Sequence, residues 1–341
     1  MKNIALINLN VIKRNALNIK KRLPKNTKFC AVVKADAYGH GAERVASAIY
    51  GIVDCFAVAL VEEGEKLRLC GIKKDILILT PVFKEEIDRA ILNNFTLTVD
   101  RVEDLKKIIK CAKKLNAKVK VHFKYNTGMN RLGFDSLNEL NQALSVAKKS
   151  GVIIIDGLYC HYSKPQNDKS LNKATNKFLL ANKLIKGYNE SAVCHASASG
   201  GFLKEKYFDM VRIGILLYGY YPFKSQLVLV KPAMKVYSYV VKQRKIGFFS
   251  NALYGNKKTI LPKNLSIIRF GYADGLLRKR VSGQFNNRCM DLTAVIDKKA
   301  RVSGGKVLVM ENADKLAKKY KTIPYEILTK IAIRAEKIYK N

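Results

Sequence analysis

Between residue 29 and about residue 217, short β-rich apolar runs alternate with longer segments of helical period that carry Lys and Glu. Strand candidates begin near Phe29, Asp54, Asp75, Phe95, Lys118, Val152, Ala192 and Val211, and each except the last leads into a plausible helix. This alternation is the signature of βα units, whose crossovers make the sheet parallel. Eight such units without a GxGxxG dinucleotide loop fit a closed (β/α)8 barrel better than an open doubly wound sheet. Chemistry in such a barrel collects at the carboxyl ends of the strands.

After Pro222 the texture changes. Alternating runs at residues 233–241, 266–269, 292–296 and 306–310, broken by Gly and Asn-Lys turns, indicate a β-rich second region, and residues 323–339 have helical period. The expected architecture is α/β: an N-terminal (β/α)8 TIM-type barrel over residues 1–227 and a C-terminal mainly-β domain over residues 228–341. No low-complexity linker separates them.

The formal charge is +36, which alone would suggest a nucleic acid or an acidic membrane surface. The basic residues are instead spread along the whole chain, without interleaved aromatics and without helix-turn-helix, RNP-like or zinc-finger spacing, so no nucleic-acid partner is expected. Seven cysteines, an odd number with no CxxC pair and several inside apolar runs, read as buried reduced thiols in a reducing compartment. The amino terminus has no signal-peptide core and no apolar stretch is long enough for a membrane span, so a cytoplasmic protein without a membrane partner is expected. The four histidines show no metal-ligand spacing, and no metal is expected.

Residues 29–41, FCAVVKADAYGHG, are an apolar run that ends on Lys34 and turns at once through glycines, the pattern of an interior strand and its exit loop. A half-desolvated lysine there has a lowered pKa, and its neutral amine can condense with an aldehyde. Other strand ends bring residues 124–133 after the fifth strand, His161 after the sixth, residues 195–201 after the seventh and residues 212–219 along the eighth. Ser199-Gly200-Gly201 and Gly214-Ile215 offer the backbone amides and hydroxyl from which an anion cradle is built. Taken alone, Gly-rich turns like these are more often simple loop punctuation, and the plain alternative for Arg212 is a bridge between a strand end and a loop carboxylate.

The motifs VVKADAYGHG (residues 32–41), KYNTGMNRLG (124–133), VRIGILLYG (211–219) and FGYADG (270–275) together resemble the alanine racemase family over nearly the whole chain. That resemblance implies pyridoxal 5'-phosphate as cofactor, carried on Lys34, which also serves as one of two acid/base groups. It implies cofactor contacts from Tyr38, Arg131, His161, Ser199, Arg212, Gly214 and Ile215, with Tyr38 on the phosphate and Arg212 at the pyridine nitrogen. A guanidinium has no acceptor, so a ring nitrogen facing it stays unprotonated and proton transfer is favoured over transamination.

Racemisation needs a second group opposite Lys34. The resemblance points to Tyr254, in NALYG at residues 251–255, with His161 and Arg212 forming a relay that lowers its pKa. Arg131 and Met290 are the implied substrate-binding residues, and Tyr272 and Tyr325 the gate that narrows the site. Two departures are visible: Ala198 where the family has Asn, and Asn287 where it has Arg, with Arg288 shifted by one. Lys124 matches a position that is carbamylated in some relatives. In the family the two acid/base groups come from opposite subunits, so a homodimer with composite sites is implied. The activity implied is interconversion of L- and D-alanine, supplying D-alanine for peptidoglycan. The rivals are a broad-specificity or serine racemase of the same fold and a non-catalytic cofactor carrier, which lacks the second domain.

Overall fold

A computed structural model describes residues 1–247, 263–277, 287–297 and 301–341. The chain opens with strand β1 (Ile4–Asn8) and helix α1 (Leu9–Lys20), then β2 (Lys28–Val32), α2 (Lys34–Gly39) and α3 (Ala42–Ile49). The alternation continues through β3 (Cys55–Val58), α4 (Val61–Leu69), β4 (Ile76–Ile78), α5 (Ile87–Leu92), β5 (Leu97–Val99), α6 (Val102–Lys114), β6 (Val119–Lys124) and α7 (Leu137–Ser150). β7 (Ile153–Tyr159), α8 (Asp168–Lys186), β8 (Val193–His195), α9 (Ser199–Phe202) and β9 (Met210–Ile213) complete it. All eight strands expected from the sequence are present, each beginning within two residues of its expected start.

β2 to β9 form two four-stranded parallel sheets, ordered β4-β3-β2-β9 and β5-β6-β7-β8. A parallel bridge between Leu77 and Thr96 joins β4 to β5, and one between Ala198 and Arg212 joins the segment after β8 to β9, so the strands run round as a barrel. β2 reads KFCAV, with every residue after Lys28 buried, as a strand covered on both faces requires. The helices show the complementary one-faced pattern. In α6 the buried residues are Leu105, Ile108 and Ala112, a stripe at helical spacing. Ser136 caps α7 by accepting the Glu139 amide, and Gly151 ends it in the left-handed region.

The second sheet contains β1 together with β10 (Met234–Ile246), β11 (Lys263–Ile268), β12 (Asn287–Arg288), β13 (Thr293–Asp297) and β14 (Lys306–Met310). Two helices follow, α10 (Ala313–Tyr320) and α11 (Pro324–Ile331), and then β15 (Glu336–Lys340). The strand order is β12-β13-β11-β10-β1-β15, with β14 also on β10. Pairing is antiparallel except for β1 with β15. Residues 323–339 therefore correct the helical reading of that segment: only its first part is helix, and the rest alternates as a strand alongside β1.

The chain divides into two compact units. One comprises Ile12–Ala37 and Ala42–Lys231, and the other Met1–Val11, Tyr38–Gly41 and Pro232–Asn341. The sequence reading places no strand before Phe29, whereas β1 pairs on one side with β10 and on the other with β15, which puts the first residues in the second unit. No helix among the described residues is long and apolar enough to cross a membrane. No group of three or more His, Cys, Asp or Glu among them could hold a metal ion.

Candidate active site

Strand register alone assembles much of the barrel rim. Lys124 on β6 pairs in register with Tyr159 on β7, and Tyr159 with His195 on β8, so three side chains from distant segments lie in one row. On the other side, Cys30 of β2 is level with Arg212 of β9, and Lys34 follows β2 at its carboxyl end.

Lys34 does not open into an ordinary loop. It begins α2, and the next four residues, Ala35, Asp36, Ala37 and Tyr38, all have φ of 50–53°, so this short helix winds left-handed. Each L-residue there carries a cost of about 1–2 kcal/mol relative to the right-handed form. Strain of this kind persists only where the surroundings over-determine it, and it clusters at functional sites. Two side chains tie the turn down within the barrel unit. Glu63 accepts the Ala35 amide at 2.6 Å as well as the amides of Ala59 and Leu60, and Asp36 accepts the Ala42 amide at 2.8 Å. Gly41, at φ 87°, closes the segment where any Cβ would collide with the Tyr339 hydroxyl.

Burial and the charge of Arg131 lower the Lys34 pKa, while Glu63 acts in the opposite direction. The Lys124 ammonium is pushed down to about 8 by burial and by Arg131 and Arg212, and lies over the Tyr159 ring. The Tyr159 hydroxyl donates to the Leu79 carbonyl and lies 2.9 Å from Thr98 Oγ1.

Arg212 is 3% exposed. Its Nη1 donates to His195 Nδ1 and to the His195 carbonyl, and its Nη2 to the carbonyls of Cys160 and Ala196. The guanidinium also lies 5.0 Å from the Tyr159 ring, which stacks on the His195 imidazole. A guanidinium has five N–H donors; the four on Nη1 and Nη2 are thus engaged, and the Nε–H is the donor left over. Among the described residues the imidazole bonded to Arg212 is His195, and the relay expected from His161 to Tyr254 involves a residue outside them. His161 makes no hydrogen bond among the described residues. Burial and the charges of Arg212, Arg131, Lys124 and Lys34 push it down to about 3, so its ring is neutral near neutral pH.

Ser199 is buried and begins α9, and its hydroxyl accepts the Gly214 amide at 3.3 Å. Ala198 at the N-cap offers no side-chain acceptor, so the first amides of α9 have no cap from it. A Cβ on Gly200 would meet Pro165 at 2.5 Å and one on Gly201 would meet the Ser197 hydroxyl at 2.4 Å, so this turn admits only glycine at both places. Ile215 is buried beside it. Spare amides, a hydroxyl and a spare guanidinium donor form a donor set that fits a phosphorylated pyridine with its anionic and ring-nitrogen ends.

In the second unit Tyr38 packs against Tyr325, with ring centroids 5.8 Å apart, and burial raises the pKa of both phenols, Tyr325 to about 12. Tyr272 donates its amide to the Cys289 carbonyl and Ala273 to that of Met290, and Gly271 lies so close to Met290 that a Cβ would overlap it. Met290 is 55% exposed. Arg288 is buried over the Tyr320 ring. Tyr254 lies outside the described residues.

Sequence reasoning brought His195 to a strand end without giving it a role, and missed Glu63, Tyr159, His122 and Asp156. His195 and His122 sit inside apolar runs where a satisfied core histidine is the ordinary reading, and the strand register that joins them is not visible in one dimension.

Two family models match the chain: "Alanine racemase, N-terminal domain" over residues 7–222 and "Alanine racemase, C-terminal domain" over residues 233–339. An alanine racemase of Streptococcus uberis is 33% identical over 362 residues, covering 99% of this chain and 98% of that one. The structure of an alanine racemase from Clostridium difficile 630 superposes with a TM-score of 0.93 at 32% identity, covering 100% of this chain and 96% of the other. One from Bacillus anthracis with bound L-Ala-P superposes with a TM-score of 0.92 at 26% identity, covering 100% and 95%.

Proposed function

This chain belongs to the alanine racemase family, and on that premise we propose how its own residues interconvert L-alanine and D-alanine, with pyridoxal 5'-phosphate as the cofactor. The product D-alanine serves peptidoglycan synthesis. When bound, the cofactor supplies a conjugated, electron-withdrawing ring that acidifies the α-hydrogen of an amino acid joined to it.

Lys34 holds the cofactor and, once released by substrate, moves the proton on one face of the α-carbon. Its lowered pKa supports this, because a proton acceptor must be neutral to act. Tyr254 from the partner subunit moves the proton on the other face. The support for Tyr254 is its motif, and the neutral His161 ring supplies an acceptor suited to orient a phenol. With its Nη donors engaged, Arg212 would have its Nε–H left for the ring nitrogen and, having no acceptor, would leave that nitrogen unprotonated. Ser199 and the Gly214–Ile215 turn, with Tyr38, would hold the phosphate. Arg131 holds the substrate carboxylate with the Met290 amide, and Tyr272 and Tyr325 restrict the mouth to small side chains. Near pH 8 half of the Lys124 amines are neutral and open to carbamylation, which would turn a repulsive cation near Arg131 into an anion.

Two composite sites in a head-to-tail homodimer follow from drawing the two acid/base groups from different chains, residues 228–341 completing the partner's site. We place the protein in the cytoplasm, in keeping with seven cysteines that are all free thiols. The observation that carries the reading is the arginine at the barrel rim whose Nη donors are all engaged and whose Nε–H remains. The test is a panel of L-amino acids in deuterated water, scored for chiral inversion and α-deuterium uptake. Alanine should invert fastest with one deuterium incorporated; serine inverting as fast would make this a broad-specificity racemase, and deuterium uptake without inversion would refute two-faced proton transfer.

A further inference from the structure

Behind Arg212 the structure holds a line of polar groups that the proton-transfer chemistry does not use. His195 Nε2 lies 2.8 Å from His122 Nδ1, and His122 Nε2 lies 3.0 Å from Asp156 Oδ2. These residues come from β8, β6 and β7, all within the barrel unit. Both imidazoles are buried, at 0% and 4% exposed, whereas the Asp156 side chain is 30% exposed and so reaches solvent.

The two ends fix every hydrogen between them. An arginine can only donate, so His195 Nδ1 must be bare where it meets Arg212 Nη1. A neutral imidazole bare at Nδ1 carries its hydrogen on Nε2, which donates to His122 Nδ1. His122 then carries its own hydrogen on Nε2 and donates it to the Asp156 carboxylate, which can only accept. The opposite pattern, a doubly protonated His122 paired to Asp156, would turn an N–H toward His195 and force another N–H against Arg212. Burial and the charge of Arg212 hold the His195 pKa well below its ordinary value, in the direction the first pattern requires. Burial alone would raise Asp156, but the hydrogen bond from His122 and the charges of Lys120 and Lys28 lower it and keep the carboxylate ionised.

We propose that Asp156, acting through His122 and His195, is a positioning residue for Arg212: the relay fixes both imidazoles in one tautomer and holds the guanidinium in a single orientation. It also sets the nearest carboxylate in the line two neutral rings away from Arg212. A carboxylate in direct contact would neutralise the positive charge that faces the ring nitrogen in the function proposed above, on which this part of the inference rests.

The test is nitrogen NMR of the holoenzyme labelled with ¹⁵N-histidine at neutral pH, assigned by His122→Gln and His195→Gln. His195 and His122 should each show a bare Nδ1 and a protonated Nε2. A protonated His195 Nδ1, or a doubly protonated His122, would overturn the relay. Asp156→Ala should leave His122 exchanging between tautomers and lower kcat by about tenfold with KM little changed, as loss of an outer-shell partner does elsewhere, and Asp156→Glu should recover most of it. An Asp156→Ala enzyme with one His122 tautomer and wild-type kcat would also overturn the proposal. The tautomers are read whether or not Arg212 faces the ring nitrogen, so failure of the relay and failure of that functional reading are separable.

Discussion

Four cations, Lys34, Lys124, Arg131 and Arg212, crowd the barrel rim, and burial together with their repulsion explains several perturbed groups at once. Lys124 is the clearest case, because burial and neighbours place its folded-state pKa near 8 against an ordinary 10.5. The unfolded chain therefore binds a proton that the folded chain lacks between those values, and stability rises with pH through that window. Below pH 8 the cost is constant. Urea unfolding from pH 7 to 10.5 should show this rise, and Lys124→Met should flatten it; an unchanged slope in the variant would place the effect elsewhere. Lys34 and Arg212 were legible in the sequence because each sits in a local motif at a strand end. His195, His122 and Asp156 were not, since their meeting depends on β6, β7 and β8 lying side by side in one particular register.

Among the elements, the left-handed helix after Lys34 is the least expected from sequence. Its residues 35–38 are Ala, Asp, Ala and Tyr, none of which favours positive φ as glycine does, and a glycine-containing loop was the natural reading. Tertiary ties impose it, through Glu63 and Asp36. Ala35 is exposed, so Ala35→Gly relieves the left-handed strain while adding unfolded-state entropy, and the balance is a gain of about 0.5–1 kcal/mol. Chemical denaturation should register that gain, and a loss would show that the turn is not strained. A second element, the strand β15, was hidden for another reason. The apolar spacing of Ile327, Leu328 and Ile331 sets a helical period that the sequence reading extends through residue 339, and only β1, at the far end of the chain, makes the last residues a strand.

At the scale of the whole molecule, the barrel was readable from the eightfold alternation, and the mainly-β second region from its period-two runs. The incorporation of the amino-terminal strand into that second sheet was not, because β1 is a single short run with no turn partner nearby. If the two acid/base groups come from different subunits, two dead variants should rescue each other. Lys34→Ala and Tyr254→Phe homodimers, mixed and allowed to exchange, would form heterodimers with one intact site, restoring roughly one quarter of wild-type activity at statistical exchange. No recovery despite proven exchange would place both groups in one chain. The claim on which all of this rests is that Lys34, among the many lysines of a chain of charge +36, carries the cofactor. The direct measurement is borohydride reduction of the purified yellow protein followed by peptide mapping: the cofactor should be found fixed to Lys34 alone, and its recovery on any other lysine would contradict the account.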